Sequence, residues 1–145
     1  IEIVGTDIST DCIETAKHGV YGHFDVQKGL SIHRLLTNFD RHDNGDWSVN
    51  ADLQRPVNFR RHNLLEPARD LGQFDVVICC NVLGTMSDPA KRQVVETLSA
   101  QLLPDAFLFG STGENLGAVS DAIKPSRALR GAFERDLAYS KTAAA

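Results

Sequence analysis

A nearly continuous apolar run from Phe74 to Cys80, FDVVICC, constrains the fold of this chain more than any other segment. Such a run is typical of a parallel strand that other elements cover on both faces. Parallel strands are joined by long crossovers that usually contain a helix, so strands and helices should alternate on either side. The run therefore predicts an α/β fold with a mainly parallel sheet.

The neighbouring sequence shows that alternation. A strand is predicted from Ile1 to Ile8, followed by a capped helix start at residues 11–14 and a stop at Gly19. Residues 57–65 alternate as another strand, and residues 106–110 form a second buried run. The tail at 122–138 predicts a closing hairpin. Two helices are predicted from apolar stripes: Ile32, Leu35, Leu36 and Phe39 in one, and Val94, Val95, Leu98, Leu102 and Leu103 in the other, capped by Asp88 and ended by Pro104.

Composition narrows the function classes. At 145 residues the chain suits one compact domain, and its net charge of -4 argues against a general nucleic-acid binder. No apolar run approaches the length of a membrane span, so no membrane insertion is expected. The cysteines are Cys12, Cys79 and Cys80, an odd number without metal-binding spacing. We expect them to be small buried residues in a reducing cytosol, and we expect no metal site.

Asp7 is the first candidate ligand-binding residue. In open α/β sheets a ligand binds outside the carboxyl ends of the strands, where a carboxylate can hold a ribose. A nucleotide site normally also needs a glycine-rich turn after the preceding strand, and the sequence has no residue before Ile1. We therefore expect the sequence to begin in the middle of a domain.

Six short motifs carry a resemblance to a known family. In this order over about 110 residues, they resemble the catalytic domain of the CheR family, chemotaxis-receptor glutamate O-methyltransferases that use S-adenosylmethionine. The motifs are Gly5-Thr6-Asp7-Ile8, Gly19-Val20-Tyr21, Asn63-Leu64-Leu65-Glu66-Pro67, Phe74-Asp75-Val76-Val77 with Asn81-Val82-Leu83, Leu103-Pro104-Asp105, and Gly113-Glu114-Asn115.

The resemblance implies a fold, a cofactor and a partner. The fold would be a Rossmann-like class I methyltransferase sheet, incomplete at its amino terminus, with residues 1–145 as a partial S-adenosylmethionine-binding domain. The insert at 24–53 would be a small antiparallel β-subdomain. S-adenosylmethionine would be the cofactor and S-adenosylhomocysteine its product. The methyl acceptors would be glutamates in the cytoplasmic domain of chemotaxis receptors, which implies a cytoplasmic protein.

The resemblance also implies roles for five residues. Asp7 matches the family acid that accepts hydrogen bonds from the ribose hydroxyls. Asn63 and Leu64 match the pair beside the adenine, and Cys80 and Asn81 match the pair near the central part of the cofactor. No catalytic residue is assigned, because a glutamate carboxylate is already an anion at neutral pH and needs mainly to be positioned.

Departures from the family pattern keep alternatives open. Cys80 stands where the family usually has Arg, and Thr85-Met86 stands where members commonly have a Tyr-Phe pair. These changes favour a second hypothesis, a non-catalytic binding or signalling module on a methyltransferase scaffold. As the less favoured alternatives, Asp7 would be a plain acid that leads a helix, and Asn63 and Asn81 would be turn caps. The insert lacks the triple-glycine loop of members that bind receptor tails, so a receptor-tail clamp is the weaker interpretation.

The absent first strand has a physical consequence. In the fold that the chain resembles, this strand lies between the second and fourth strands, so without it two inner strand edges would be unpaired. We expect that the missing segment exists in the native protein, that the sheet closes up, or that the edges pair between chains.

Overall fold

The protein has a mixed α/β architecture in a computed structural model that describes residues 1–111 and 113–139. The chain divides into two compact units, Ile1–Asn63 and Leu64–Ala145. Parallel and antiparallel strand pairs both occur among the described residues. The α/β class predicted from the sequence is confirmed at this level.

Two parallel strands and a helix form the frame of the first unit. Strand β1 (Ile3–Asp7) pairs with β5 (Val57–Arg61), with Asp7 opposite Arg61 at the carboxyl ends. Helix α1 (Thr10–His18) contacts both strands and buries Ile13. Gly19 ends α1 with φ 65, a left-handed conformation that glycine adopts without a steric penalty, as the sequence predicted.

The crossover from β1 to β5 contains a small antiparallel sheet. Its core consists of Val26, Leu35 and Trp47. The segment overlaps the predicted insert at 24–53, whose assignment as a separate β-subdomain stays a prediction. In spatial order the strands are β2 (Val20–Tyr21), β4 (Trp47–Val49) and β3 (Phe39–Arg41), and the helices of this segment are α2 (His23–Val26), α3 (Ile32–Asn38) and α4 (Ala51–Gln54).

The apolar stripe predicted for α3 is wrong at two of its positions. Leu35 is buried, and Phe39 is half-buried at the first position of β3. Ile32 and Leu36, by contrast, are 69% and 65% exposed. Helical spacing shows which residues share a face, but the small core of this segment contacts only the part of that face that carries Leu35.

A four-stranded sheet forms the second unit. The strand order is β6-β7-β9-β8, with β6 parallel to β7 and the other pairs antiparallel. The hairpin predicted in the tail is confirmed by β8 and β9. The elements are β6 (Phe74–Cys79), α5 (Asp88–Ala100), β7 (Leu102–Gly110), β8 (Ile123–Pro125) and β9 (Ala132–Arg135), and the main core consists of Cys79, Leu83, Val94, Val95, Leu102, Ala106, Leu108, Leu116 and Ile123.

Helix α5 differs from its prediction at both ends. Ser87 rather than Asp88 is the N-cap residue, and the helix ends at Ala100. Leu102 and Leu103 belong to β7, and Pro104 lies inside that strand rather than ending the helix. The pairing of β6 with β7 shifts register around this point, because Phe74 pairs with Leu102 whereas Val76 pairs with Phe107. A bulge can accommodate a proline within a strand, which a sequence pattern alone does not reveal.

Strand β6 is covered on one face, not on both as the sequence predicted. Val77 and Cys79 contact the core of the second unit. Val76 and Ile78, which alternate with them, are 51% and 73% exposed. Within the described part of the chain, β7 is the only strand paired with β6, and β5 is the only strand paired with β1. Each of these strands therefore has one open edge.

We expect these open edges to cause self-association as protein concentration rises. Unpaired backbone groups beside exposed apolar side chains are templates for pairing with another chain. Replacing Ile78 with Lys should reduce association, because a charged side chain on an edge strand opposes such pairing. Sedimentation velocity over a concentration series measures the effect.

The matched control is Phe24→Lys, which places the same charge at an 80% exposed apolar position on α2. This variant should associate like the wild type. An equal reduction by both substitutions would mean that net charge, rather than the edge of β6, controls association.

Candidate functional site

The backbone of the following turn holds Asp7 in place at the end of β1. Its Oδ1 accepts a hydrogen bond of 2.8 Å from the backbone N–H of Ser9. The Oγ of Ser9 in turn accepts from the backbone N–H of Cys12 and caps α1. The Asp7 side chain is exposed, and its Oδ2 has no hydrogen-bond partner among residues 1–111 and 113–139. One carboxylate oxygen is thus available to accept bonds from a ligand.

Asn63 follows the neighbouring strand. Strand β5 ends at Arg61, not at residue 65 as the sequence predicted, so Asn63 lies in the loop that leaves it. The backbone N–H of His62 donates to the carbonyl oxygen of Asp7 at 2.9 Å, and Nε of Arg61 donates to the carbonyl oxygen of Ile8 at 3.0 Å. These bonds extend the pairing past the strand ends, and they bring the loops that carry Asp7 and Asn63 together.

The residue before Asn63 has a ring nitrogen without a hydrogen-bond partner among the described residues. Nε2 of His62 is buried and has no hydrogen bond within the described ranges 1–111 and 113–139. Buried polar atoms normally have partners, so an ordered water or another polar group is expected at this nitrogen. The exposed Asp7 carboxylate can accept hydrogen bonds from hydroxyl groups, so this edge of the unit fits a ligand with a ribose, such as S-adenosylmethionine.

The other predicted site residues belong to the second unit. Leu64 is half-buried and packs against the core of that unit. Cys80 and Asn81 follow β6, and both are exposed. Asn81 has φ 60, a left-handed conformation that is uncommon outside glycine but is adopted by asparagine more readily than by most residues. The structure thus brings Asp7 and Asn63 together in one unit, and Cys80 and Asn81 together in the other.

Two residues that hold Asn81 in place were not predicted from the sequence: one bonds to Asn81, and the other bonds to the first. Ser111 follows β7, and its Oγ accepts from the backbone N–H of Asn81 and donates to Oδ1 of Asn81 at 3.1 Å. The backbone N–H of Ser111 donates to Oε2 of Glu114 at 3.0 Å. The motif at 113–115 had pointed to this loop through the family resemblance, but no pattern linked it to Asn81.

The three cysteines have different environments. Cys79 is buried, whereas Cys12 and Cys80 are exposed, so the prediction that all three are buried is wrong for two of them. Burial raises the pKa of the Cys79 thiol from 9.0 to about 11, and the negative charge of Glu114 contributes to the same shift. Because only the thiolate reacts readily, Cys79 should be inert at neutral pH.

We expect a thiol reagent to modify two cysteines of the native protein quickly at about pH 8 and the third only after unfolding. The raised pKa keeps Cys79 protonated until the pH approaches about 11. Counting modified thiols against time, with mass spectrometry to locate them, checks this expectation. Fast modification of Cys79 in the folded state would contradict the burial of this thiol.

The described residues contain neither a metal-binding cluster nor a membrane-spanning helix. No group of three or more His, Cys, Asp or Glu side chains at 1–111 and 113–139 is arranged to hold a metal ion. No helix in those ranges has the length and apolarity that crossing a bilayer requires.

Comparison with known proteins identifies the family. The family described as CheR methyltransferase, SAM binding domain, matches residues 1–131. Chemotaxis protein methyltransferase 1 of Pseudomonas aeruginosa is 36% identical over 121 residues, which cover 83% of this chain and 44% of that protein. Chemotaxis protein methyltransferase Cher2 of Pseudomonas putida is 35% identical over 120 residues, with 83% and 44% covered. Chemotaxis protein methyltransferase of Vibrio parahaemolyticus is 32% identical over 127 residues, with 88% and 46% covered.

The chain therefore spans less than half the length of these relatives, at 44% to 46%. The family match nevertheless covers most of the sequence, including all five predicted site residues. S-adenosylmethionine is the cofactor that this family domain binds. The chain belongs to the CheR methyltransferase family, and its residues 1–131 match the S-adenosylmethionine-binding domain of that family.

Proposed function

We propose that the whole protein is a protein-glutamate O-methyltransferase and that this chain supplies its cofactor-binding residues. The observation that carries the proposal is the exposed carboxylate of Asp7 beside the loop of Asn63, at the carboxyl ends of two parallel strands. A ligand site at this edge is typical of open α/β folds. For the fold we propose the Rossmann-like class I methyltransferase sheet, with the segment at 24–53 as a β-subdomain.

The proposed methyl acceptors are glutamate side chains in the cytoplasmic domain of chemotaxis receptors, so the proposed location is the cytoplasm. The relatives support this proposal because their names place them in chemotaxis. The net charge of -4 supports a partner other than nucleic acid.

Each proposed cofactor contact uses a group that this chain presents. Oδ2 of Asp7 would accept hydrogen bonds from ribose hydroxyls, while Oδ1 stays bonded to Ser9. Asn63 and Leu64 would lie beside the adenine, and Cys80 and Asn81 near the central part. When bound, S-adenosylmethionine supplies a methyl group on a cationic sulfur. A carboxylate oxygen can bond to that methyl carbon directly, and the sulfur then leaves as the neutral thioether of S-adenosylhomocysteine. The chain's contribution is to hold the reacting groups in line, which requires no general base.

Radiolabelled methyl transfer to a receptor cytoplasmic domain tests the proposal. The whole protein should transfer label from S-adenosylmethionine, and the label should be released by base because the product is a carboxyl methyl ester. The control is a receptor domain whose glutamates are replaced by alanine, which should remain unlabelled. Base-stable labelling, or equal labelling of the control domain, would contradict transfer to glutamate.

A second candidate, a binding or signalling module without catalysis, has one specific observation in its favour. Met86 is half-buried and packs against the core of the second unit, and Thr85 is an exposed residue at the end of a 3₁₀ turn. Neither residue presents an aromatic ring where family members commonly have one. Binding of S-adenosylhomocysteine without any methyl transfer would support this module and overturn the proposed catalysis.

Restoring the usual family residue gives a further prediction. Cys80→Arg should leave the affinity for S-adenosylhomocysteine equal or increased, because Cys80 is exposed and a longer cationic side chain can be accommodated there. Calorimetric titration measures the change, and Cys12→Arg is the matched control at another exposed cysteine. A loss of affinity in Cys80→Arg but not in Cys12→Arg would show that this site requires the cysteine and does not accept the arginine that the family usually has there.

A further inference from the structure

The backbone of Asn81 has a conformation that needs support from its surroundings. Its φ of 60 lies in the left-handed region, which is unfavourable for residues with a side chain. Such conformations persist where neighbouring groups hold them, and they are concentrated at functional sites. In this chain the neighbouring group is Ser111, which bonds to the backbone and to the side chain of Asn81 at once.

The second of these bonds fixes the orientation of the amide. Because the Ser111 hydroxyl donates to Oδ1, that oxygen is turned toward Ser111. Nδ2 then carries two N–H donors that have no partner among residues 1–111 and 113–139. The exposed side chain therefore presents donors, which suit a ligand with acceptor oxygens or nitrogens.

The position of Ser111 follows from the pairing of two strands. Cys79, the last residue of β6, is opposite Gly110, the last residue of β7, so the loops that leave these strands start side by side. The bond from the Ser111 N–H to Glu114 holds the start of the second loop. Gly110 permits a close approach there, because a Cβ at this position would lie 2.8 Å from Cδ1 of Leu116.

We propose that Ser111 is a positioning residue that sets the affinity for the cofactor through Asn81, with Glu114 holding Ser111. The inference rests on the proposed function, because it assumes that Asn81 contacts the cofactor. Ser111 itself touches no reacting atom. It orients an amide donor group toward an acceptor on S-adenosylmethionine.

Titration of the whole protein with S-adenosylhomocysteine tests the inference. Ser111→Ala removes both bonds to Asn81 and should weaken binding about tenfold, as expected for a positioned hydrogen bond and part of its support. Ser111→Thr keeps the hydroxyl and should retain wild-type affinity to within about twofold. Ser126→Ala, which removes another half-buried serine hydroxyl after β8, should leave affinity unchanged.

A double substitution separates positioning from a general structural role. Asn81→Gly tolerates the left-handed backbone but removes the amide. In that background Ser111→Ala should cause no further loss of affinity, because the group through which Ser111 acts is gone. Equal losses in both backgrounds, or no loss from Ser111→Ala alone, would overturn the inference while leaving the proposed function intact. Failure of the wild type to bind would overturn the proposed function and this inference with it.

Discussion

Asp7→Ala should lower the affinity for S-adenosylmethionine about 100-fold or more. The expected loss is that of two charge-assisted hydrogen bonds to ribose hydroxyls, each of roughly 1.5–3 kcal/mol. The structure supports so large an effect because the carboxylate is exposed and its Oδ1 is already held by Ser9 at 2.8 Å. Little reorientation is then needed for Oδ2 to meet a ligand.

Calorimetric titration of the whole protein measures this change. Asp11→Ala is the control, because it removes the same charge from an exposed position in the first turn of α1. It should leave the affinity unchanged. If Asp7→Ala lowers only the melting temperature and preserves the affinity, Asp7 is a helix-leading acid and its proposed role is wrong.

Leu108→Ala should destabilise the second unit by about 2–5 kcal/mol, the usual range for deleting most of a buried leucine side chain. Leu108 lies on β7 and is 0% exposed, at the centre of a core that includes Val94 and Leu116. The surrounding strands cannot collapse onto the gap without breaking their pairing. Denaturant unfolding at a fixed protein concentration gives the change in the free energy of unfolding.

The control for this prediction lies on the adjacent strand. Ile78 is on β6 and is 73% exposed, so Ile78→Ala should change the free energy of unfolding by less than about 1 kcal/mol. Equal destabilisation by the two substitutions would mean that Ile78 is buried in solution, for example by a second copy of the chain. The pair of variants therefore also reports on the open edge of β6.

Local patterns predicted the elements of this chain better than they predicted what each element contacts. The first strand, predicted from Ile1 to Ile8 and observed as Ile3–Asp7, was predicted to within two residues, and the stop at Gly19 and the closing hairpin were predicted correctly. Each depends on residues that are close in sequence. The coverage of β6 was wrong because the same apolar run suits an inner strand and an edge strand, and only the neighbouring strands distinguish them.

Two other errors have the same origin. Leu102 lies at helical spacing from the apolar residues of α5, but an apolar residue at this place also suits a strand. It is part of β7 because that strand pairs with β6. Nothing in the sequence indicates that Ser111 bonds to Asn81, because the two residues are 30 positions apart and a single serine belongs to no distinctive motif. Pairings of this kind require the register of two strands, which a single sequence does not contain.

The candidate residues of the two units also differ in when they can acquire their orientation as the chain folds. The bond that holds Asp7 joins residues two apart, in the turn between β1 and α1, whereas the bonds that hold Asn81 span 30 residues. Short loops close before long ones, since the entropy lost on closure grows with loop length. The Asp7 carboxylate can therefore acquire its orientation with the first helical turn. The Asn81 amide must wait for β6 and β7 to pair, so its orientation is completed late in folding.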